Sequence, residues 1–247
     1  MATISRSAGR KVEYPTSDGK PMAETDVHRK LMMDLIESLE ARYAADPDVY
    51  VSGNLLLFYE EGNKRKHLSP DVFVVRGVPK RQRENYLTWE EGKGPDLVIE
   101  LTSKSTRSED VKKKMALYRD VLQVPEYFLF DPLQEYLTPS MQGYRLIDGN
   151  YEFIGSVARR LPSEVLGLNL ERVGNQLRLF DPTTGLRLPT TREQAEQARQ
   201  QAEQARQQAE QARQQTETQR ERAEQAEAET ARLLQEIEAL RRLRNGD

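Results

Sequence analysis

The sequence predicts an α/β fold: a mixed β-sheet core flanked by helices, with a long C-terminal coiled-coil helix. Three observations predict it. Two short apolar runs, 71–75 and 97–101, carry acids at their ends and have strand length. An amphipathic helical pattern over 109–122 separates the second run from another apolar run at 127–131. Beyond residue 193, Ala and then Leu and Ile recur at alternating intervals of three and four.

The elements follow in chain order. Residues 1–20 lack the apolar core of a signal peptide and read as a tail. Residues 21–188 hold the globular domain and 190–247 the repeat. Thr25 can cap a helix that runs to about Tyr43, with Val27, Leu31, Leu35 and Leu39 on its inner face. His28 lies one residue off that stripe and reads as a satisfied structural residue or as a ligand. Strands are expected at 49–52 and 55–59, and a polar hairpin with Gly62-Asn63 leads into 69–75. The connection 78–94 carries the only Trp, Trp89; its length suggests a lid or a substrate contact. Asp131-Pro132 ends the strand after the helix. Strands at 144–147 and 151–155 are joined by the turn Asp148-Gly149-Asn150, and 178–180 and 186–188 read as closing pieces.

Acids in the apolar runs carry the chemistry. In Pro95-Asp96-Leu97-Val98-Ile99-Glu100-Leu101, Leu97, Ile99 and Leu101 share one face and Asp96, Val98 and Glu100 the other. An ionised Glu in a buried strand is costly unless it is paired or binds a metal; on a sheet edge it points into water. Asp96 and Glu100 are four residues apart, about 13 Å along a strand, too far to share one metal. A pair between strands, Asp71 with Glu100, is the better metal site, although Asp71 after Pro70 also reads as a turn residue. Hard divalent cations take one or two carboxylates plus water and phosphate oxygens. Two lysines follow. Lys104 lies in the polar turn 101–108, and Lys114 borders the helical stripe Val111, Met115, Tyr118 and Leu122. Asp110, Lys114 and Tyr118 form an i, i+4, i+8 row, so Lys114 either pairs with Asp110 at the helix edge or reaches the acids.

This order of parts resembles the PD-(D/E)XK (restriction-endonuclease-like) nuclease superfamily, and within it the Uma-type (Uma-two) endonuclease family. The resemblance covers about residues 10–185. It is carried by Ser69-Pro70-Asp71-Val72, by 95–106, by the row Asp110, Lys114, Tyr118, by Val124-Pro125-Glu126-Tyr127 with Asp131-Pro132, and by His28 in the first helix. It implies a restriction-endonuclease-like fold. It also implies Mg²⁺ (or Mn²⁺) held by Asp71 and Glu100, and a DNA substrate. The superfamily lysine, two residues after the strand Glu, is Thr102 here. The resemblance implies that Lys114 takes the migrated lysine's role, with Lys104 as the second candidate, and that Asp96 and His28 are accessory. The other function class is a catalytically inactive, nuclease-like scaffold that binds nucleic acid or protein.

Composition bounds the rest. The 247 residues carry a net charge of −3, so a DNA substrate must be drawn by local patches such as 64–67, 80–83 and 112–114. There is no cysteine, which excludes disulfides and cysteine–zinc sites and makes a cytoplasmic location the simplest expectation. No apolar run approaches the length that spans a membrane.

The C-terminal repeat opens on Thr191-Arg192-Glu193-Gln194, a capping-box pattern. Its seam runs through Ala195, Ala198, Ala202, Ala205, Ala209, Ala212, Thr216, Gln219, Ala223, Ala226, Thr230, Leu233, Ile237 and Leu240. Burying an Ala methyl is worth about 0.8 kcal/mol against roughly 1.5–3 for a Leu or Ile, so the last heptads anchor any assembly. Residues 193–244 are expected to form a helix about 78 Å long that joins copies of the chain in a homo-oligomer, the alternative being a solitary helix.

Overall fold

The computed structural model describes residues 13–17, 25–102 and 109–245, with backbone alone for 109–111 and 242–245. The chain divides into two compact units, 1–191 and 192–247. Helix α1 spans Asp26–Arg42, and Thr25 Oγ1 accepts the His28 N–H at 3.2 Å as its N-cap. Its expected inner face is buried at Leu31, Leu35 and Leu39.

Strand β1 (Val49–Ser52) is followed by β2 (Leu57–Phe58), β3 (His67–Leu68) and β4 (Val72–Arg76). Next come β5 (Tyr86–Leu87), a short helix α2 (Thr88–Glu91) and β6 (Leu97–Leu101). The turn Glu109–Lys114 is π-helical and continues as α3 (Met115–Asp120), then β7 (Glu126–Phe130), β8 (Met141–Ile147) and β9 (Asn150–Phe153). The main sheet has the order β1-β4-β6-β7-β8-β9. Strand β6 lies between β4, antiparallel, and β7, parallel, and every one of its residues is buried. A parallel neighbour requires a crossover, and the π turn with α3 supplies it. Between β8 and β9, Asp148 and Gly149 have φ of 49° and 79°, the consecutive left-handed pair of a tight hairpin turn.

Both faces of this sheet are covered. On one, Val72, Val74, Leu97, Ile99, Leu101 and Phe128 pack with the buried face of α1 and with leucines of a second sheet. On the other, Phe73, Val98, Tyr127 and Leu129 pack with Tyr118 of α3 and with Leu57 and Tyr86 of the small sheet β3-β2-β5. The second sheet is antiparallel, β10 (Arg160–Ser163), β11 (Leu168–Val173), β12 (Gln176–Asp181) and β13 (Leu186–Arg187). The expected closing pieces are thus two strands of a separate sheet. Glu126 at the start of β7 ties the sheets together. It accepts hydrogen bonds from Arg145, from the Ser163 hydroxyl and from the backbone N–H groups of Glu164 and Val165.

The connection 78–94 departs from an open lid, since it contains β5 and α2 and is packed. Tyr86 is buried, and the Trp89 ring meets that of Tyr14 in the N-terminal segment at a tilt of 51°, with Tyr14 also meeting Phe58. Glu91 holds Arg81 and Arg83 at 2.7 Å each, and Arg83 lies 4.1 Å over the Tyr50 ring. Of the 80–83 basic patch, Arg83 is therefore spent inside the fold, while Arg81 is paired but exposed. Hydrogen bonds from Arg83, and then its charge and that of Arg81, hold the Glu91 carboxyl below its ordinary range against desolvation. A depressed folded pKa contributes stability that is present above the unfolded value of 4.5 and is lost as pH falls through the folded value. Glu91→Gln leaves the Arg83 guanidinium buried without its countercharge. It is expected to cost about 3 kcal/mol in denaturant unfolding at pH 7, with the cost shrinking below pH 4.5. A cost that does not change with pH would show that the charge is not what Glu91 contributes.

The C-terminal unit is one helix, α4 (Thr191–Asn245). Its Glu196 and Glu203 accept from Gln200 and Gln207, and Arg220 pairs with Glu224, all at i, i+4, while the repeat also spaces Glu and Arg at i, i+3, as in Glu196 and Arg199. Both spacings bring side chains together on a helix. Among the described residues no helix is long and apolar enough to cross a membrane.

Candidate active site

The β4–β6 register sets the site. Val72 pairs with Ile99, so the next antiparallel step puts Asp71 across from Glu100. Asp71 Oδ2 accepts the Leu101 N–H at 2.7 Å, which extends the ladder by a side chain and fixes the carboxylate. Glu100 is fully buried, and both of its oxygens are held from the crossover helix. Lys114 Nζ donates to Oε2 at 2.9 Å and the Tyr118 hydroxyl to Oε1 at 2.7 Å. Residues 114 and 118 are one helical turn apart, so both face the same strand residue. Burial first, and then the Glu100 charge, push the Tyr118 hydroxyl well above its ordinary range, so it remains a donor at neutral pH. From the first turn of α1, His28 Nε2 comes within 3.2 Å of Asp71 Oδ1.

The cluster thus joins His28, Asp71, Glu100, Lys114 and Tyr118 at one end of the β4–β6 pair. Glu100 is the most deeply buried member, with 1% side-chain exposure, while His28, Asp71 and Lys114 keep 14–18%. Thr102, at the usual lysine position, is buried, and its hydroxyl has no hydrogen-bond partner among the described residues.

Not every predicted residue arrives here. Asp96 sits at the other end of β6, where it accepts from Lys93 Nζ at 2.8 Å and from the Arg76 N–H at 2.6 Å. It pins the strand there and stands apart from the cluster. Lys104 and the Asp110 side chain lie outside the described residues. The π turn that ends on Lys114 replaces the expected first α-turn of the helix; such turns occur often at functional sites.

Two contributors were missed. Tyr118 stands in the apolar stripe and in the row with Asp110 and Lys114, with no role of its own assigned there. Gly53 was not singled out, yet a Cβ there would lie 2.0 Å from the Asp71 carbonyl oxygen and 2.7 Å from Ile36 Cδ1. Next to it, Asn54 N–H donates to the Pro70 carbonyl at 2.8 Å, so the 53–54 turn clamps the backbone that carries Asp71. A Gly directly after a strand is the signal that marks such a close approach. Gly53→Ala is expected to displace Asp71 and lower cleavage about 10²-fold, the scale of an ångström's misplacement. Full activity in this variant would mean that the Asp71 backbone tolerates the shift.

A mixed sheet presenting two acids on neighbouring strands, with a lysine from the crossover helix on one of them, defines a restriction-endonuclease-like domain. The chain belongs to the Uma2 family, described as "Putative restriction endonuclease", whose model matches residues 2–179. Among solved structures it is similar to the "crystal structure of a putative nuclease belonging to DUF820 from Anabaena variabilis ATCC 29413". The two share 16% identity over 63% of this chain and 87% of that one, with a TM-score of 0.44. None of the curated proteins matches the chain.

Proposed function

We propose that this protein is a DNA endonuclease dependent on Mg²⁺ (or Mn²⁺), whose domain at 21–188 cuts phosphodiester bonds and whose helix at 190–247 assembles copies of the chain. The observation that carries the reading is the convergence of Asp71, Glu100 and Lys114 from three elements onto one cluster. The donor set fits a hard divalent cation. It offers two carboxylates, one buried and one partly exposed, and no group of three or more His, Cys, Asp or Glu is assembled among the described residues. Mg²⁺ is suited to such a site, because it keeps several waters and takes substrate phosphate oxygens.

Asp71 and Glu100 would hold the ion, which supplies a more acidic water and offsets phosphate charge. Lys114 offsets the buried charge of Glu100 and presents an ammonium to the reacting phosphate and the attacking water. Tyr118 fixes the orientation of Glu100. His28, beside Asp71, is placed to touch the phosphate. Thr102 in the lysine position favours a second reading, an inactive scaffold that binds nucleic acid or protein. Plasmid cleavage decides between them. Nicking or linearisation with Mg²⁺ or Mn²⁺, stopped by EDTA, is expected; no cleavage with either metal leaves the scaffold.

The assembly through 193–244 has its own measurement. Light scattering should give a multiple of 28.4 kDa for the full chain and a monomer for residues 1–191. Leu233→Ala with Leu240→Ala should weaken the assembly by about 2–5 kcal/mol per residue at most, and a single upstream Ala→Ser far less. If the full chain is also a monomer, the helix is solitary.

A further inference from the structure

We infer that α4 pairs with the α4 of one second copy, parallel and in register, as a two-stranded coiled coil; this rests on the assembly reading above. Helix α4 leaves Leu233, Leu234, Ile237 and Leu240 roughly half exposed, an apolar face too large to sit singly in water. In the heptad, Thr230 and Ile237 fall at a, and Leu233 and Leu240 at d. β-Branched residues at a with Leu at d favour two parallel strands over three or four.

Charge fixes the orientation. In a parallel pair each g residue meets the e residue of the next heptad on the partner. Arg222 then meets Glu227 of the second copy, and Glu236 meets its Arg241. Farther up, Gln194, Gln201, Gln208 and Gln215 meet Arg199, Arg206, Arg213 and Arg220, so no like charges are opposed. An antiparallel pair instead sets the e row against itself. Five of its seven residues from 199 to 241 are Arg, so guanidinium would oppose guanidinium. Full antiparallel overlap would also place Leu233, Ile237 and Leu240 on the Ala-only heptads at the start of the helix, where a methyl is all they can bury against.

The chain has no cysteine, so introduced thiols report the geometry cleanly. Ala198, at d near the start of the helix, faces its own counterpart only in the parallel, in-register pair. Under mild oxidation the full-length Ala198→Cys variant should run at twice 28.4 kDa on a non-reducing gel, while Gln200→Cys, on the outer face, should not. Light scattering of the unoxidised protein should also give two chains. Cross-linking only when Ala198→Cys is mixed with Ile237→Cys, at dimer mass, would overturn the orientation. A trimer or tetramer mass would overturn the two-stranded pairing. A monomer mass would instead remove the assembly reading itself.

Discussion

Glu100→Gln is expected to bring Mg²⁺-supported DNA cleavage down to background while the protein still unfolds as a cooperative unit. The amide keeps the shape of the carboxylate and can still accept from Tyr118, but it loses the charge that a divalent cation needs. The structural cost should be small. The substitution weakens the Lys114 contact but relieves the repulsion between the buried Glu100 charge and the partly exposed Asp71, and these effects oppose each other. Asp71→Asn should have the same effect on cleavage, since the amide oxygen can still accept the Leu101 N–H. Cleavage by Glu100→Gln at the wild-type rate would end the mechanism proposed here, whatever the metal.

Where the fold was legible, one period dominated the segment. Leu31, Leu35 and Leu39 recur at helical spacing after a capping Thr, and α1 starts at the residue following it. The continuous run 97–101 marked a strand covered on both faces, and β6 is buried throughout. The second sheet was largely missed, although Leu168 and Leu170 alternate with Asn169 and Glu171 as in a half-buried strand. Short strands whose partners are also short give little local signal, because pairing rather than propensity stabilises them. The π turn was also invisible, since Val111 within it continues the ordinary helical spacing of Met115, Tyr118 and Leu122.

The site was legible in its charges but not in its supports. Asp71 and Glu100 stood out because acids in apolar runs need a reason, and spacing along β6 had already separated Asp96 from Glu100. Glu126 is as buried as Glu100 and drew no separate attention. What distinguishes the two is the company they keep, with backbone N–H groups, Ser163 and Arg145 around Glu126 and the Lys114–Tyr118 row over Glu100. Those partners lie 14 to 39 residues away, beyond any local pattern. Gly53 acts at similar range, through a backbone approach that only the folded chain creates.

Lys114→Met is expected to lower the cleavage rate by about 10²–10³, the usual cost of removing one preorganised electrostatic group. Methionine keeps the length of the side chain and the helix propensity, so the change is confined to charge. The loss should fall on the rate at saturating DNA rather than on KM, since the ammonium serves the transition state more than ground-state binding. Divalent-metal affinity provides the second readout. With the ammonium gone, Asp71 and Glu100 present more uncompensated negative charge, so Mg²⁺ or Mn²⁺ should bind more tightly while turnover falls. A lysine that merely held the helix in place would weaken metal binding and turnover together. Lys104→Met should matter less than Lys114→Met. The reverse ranking would move the catalytic cation to the turn after β6 and leave Lys114 as a structural partner of Glu100.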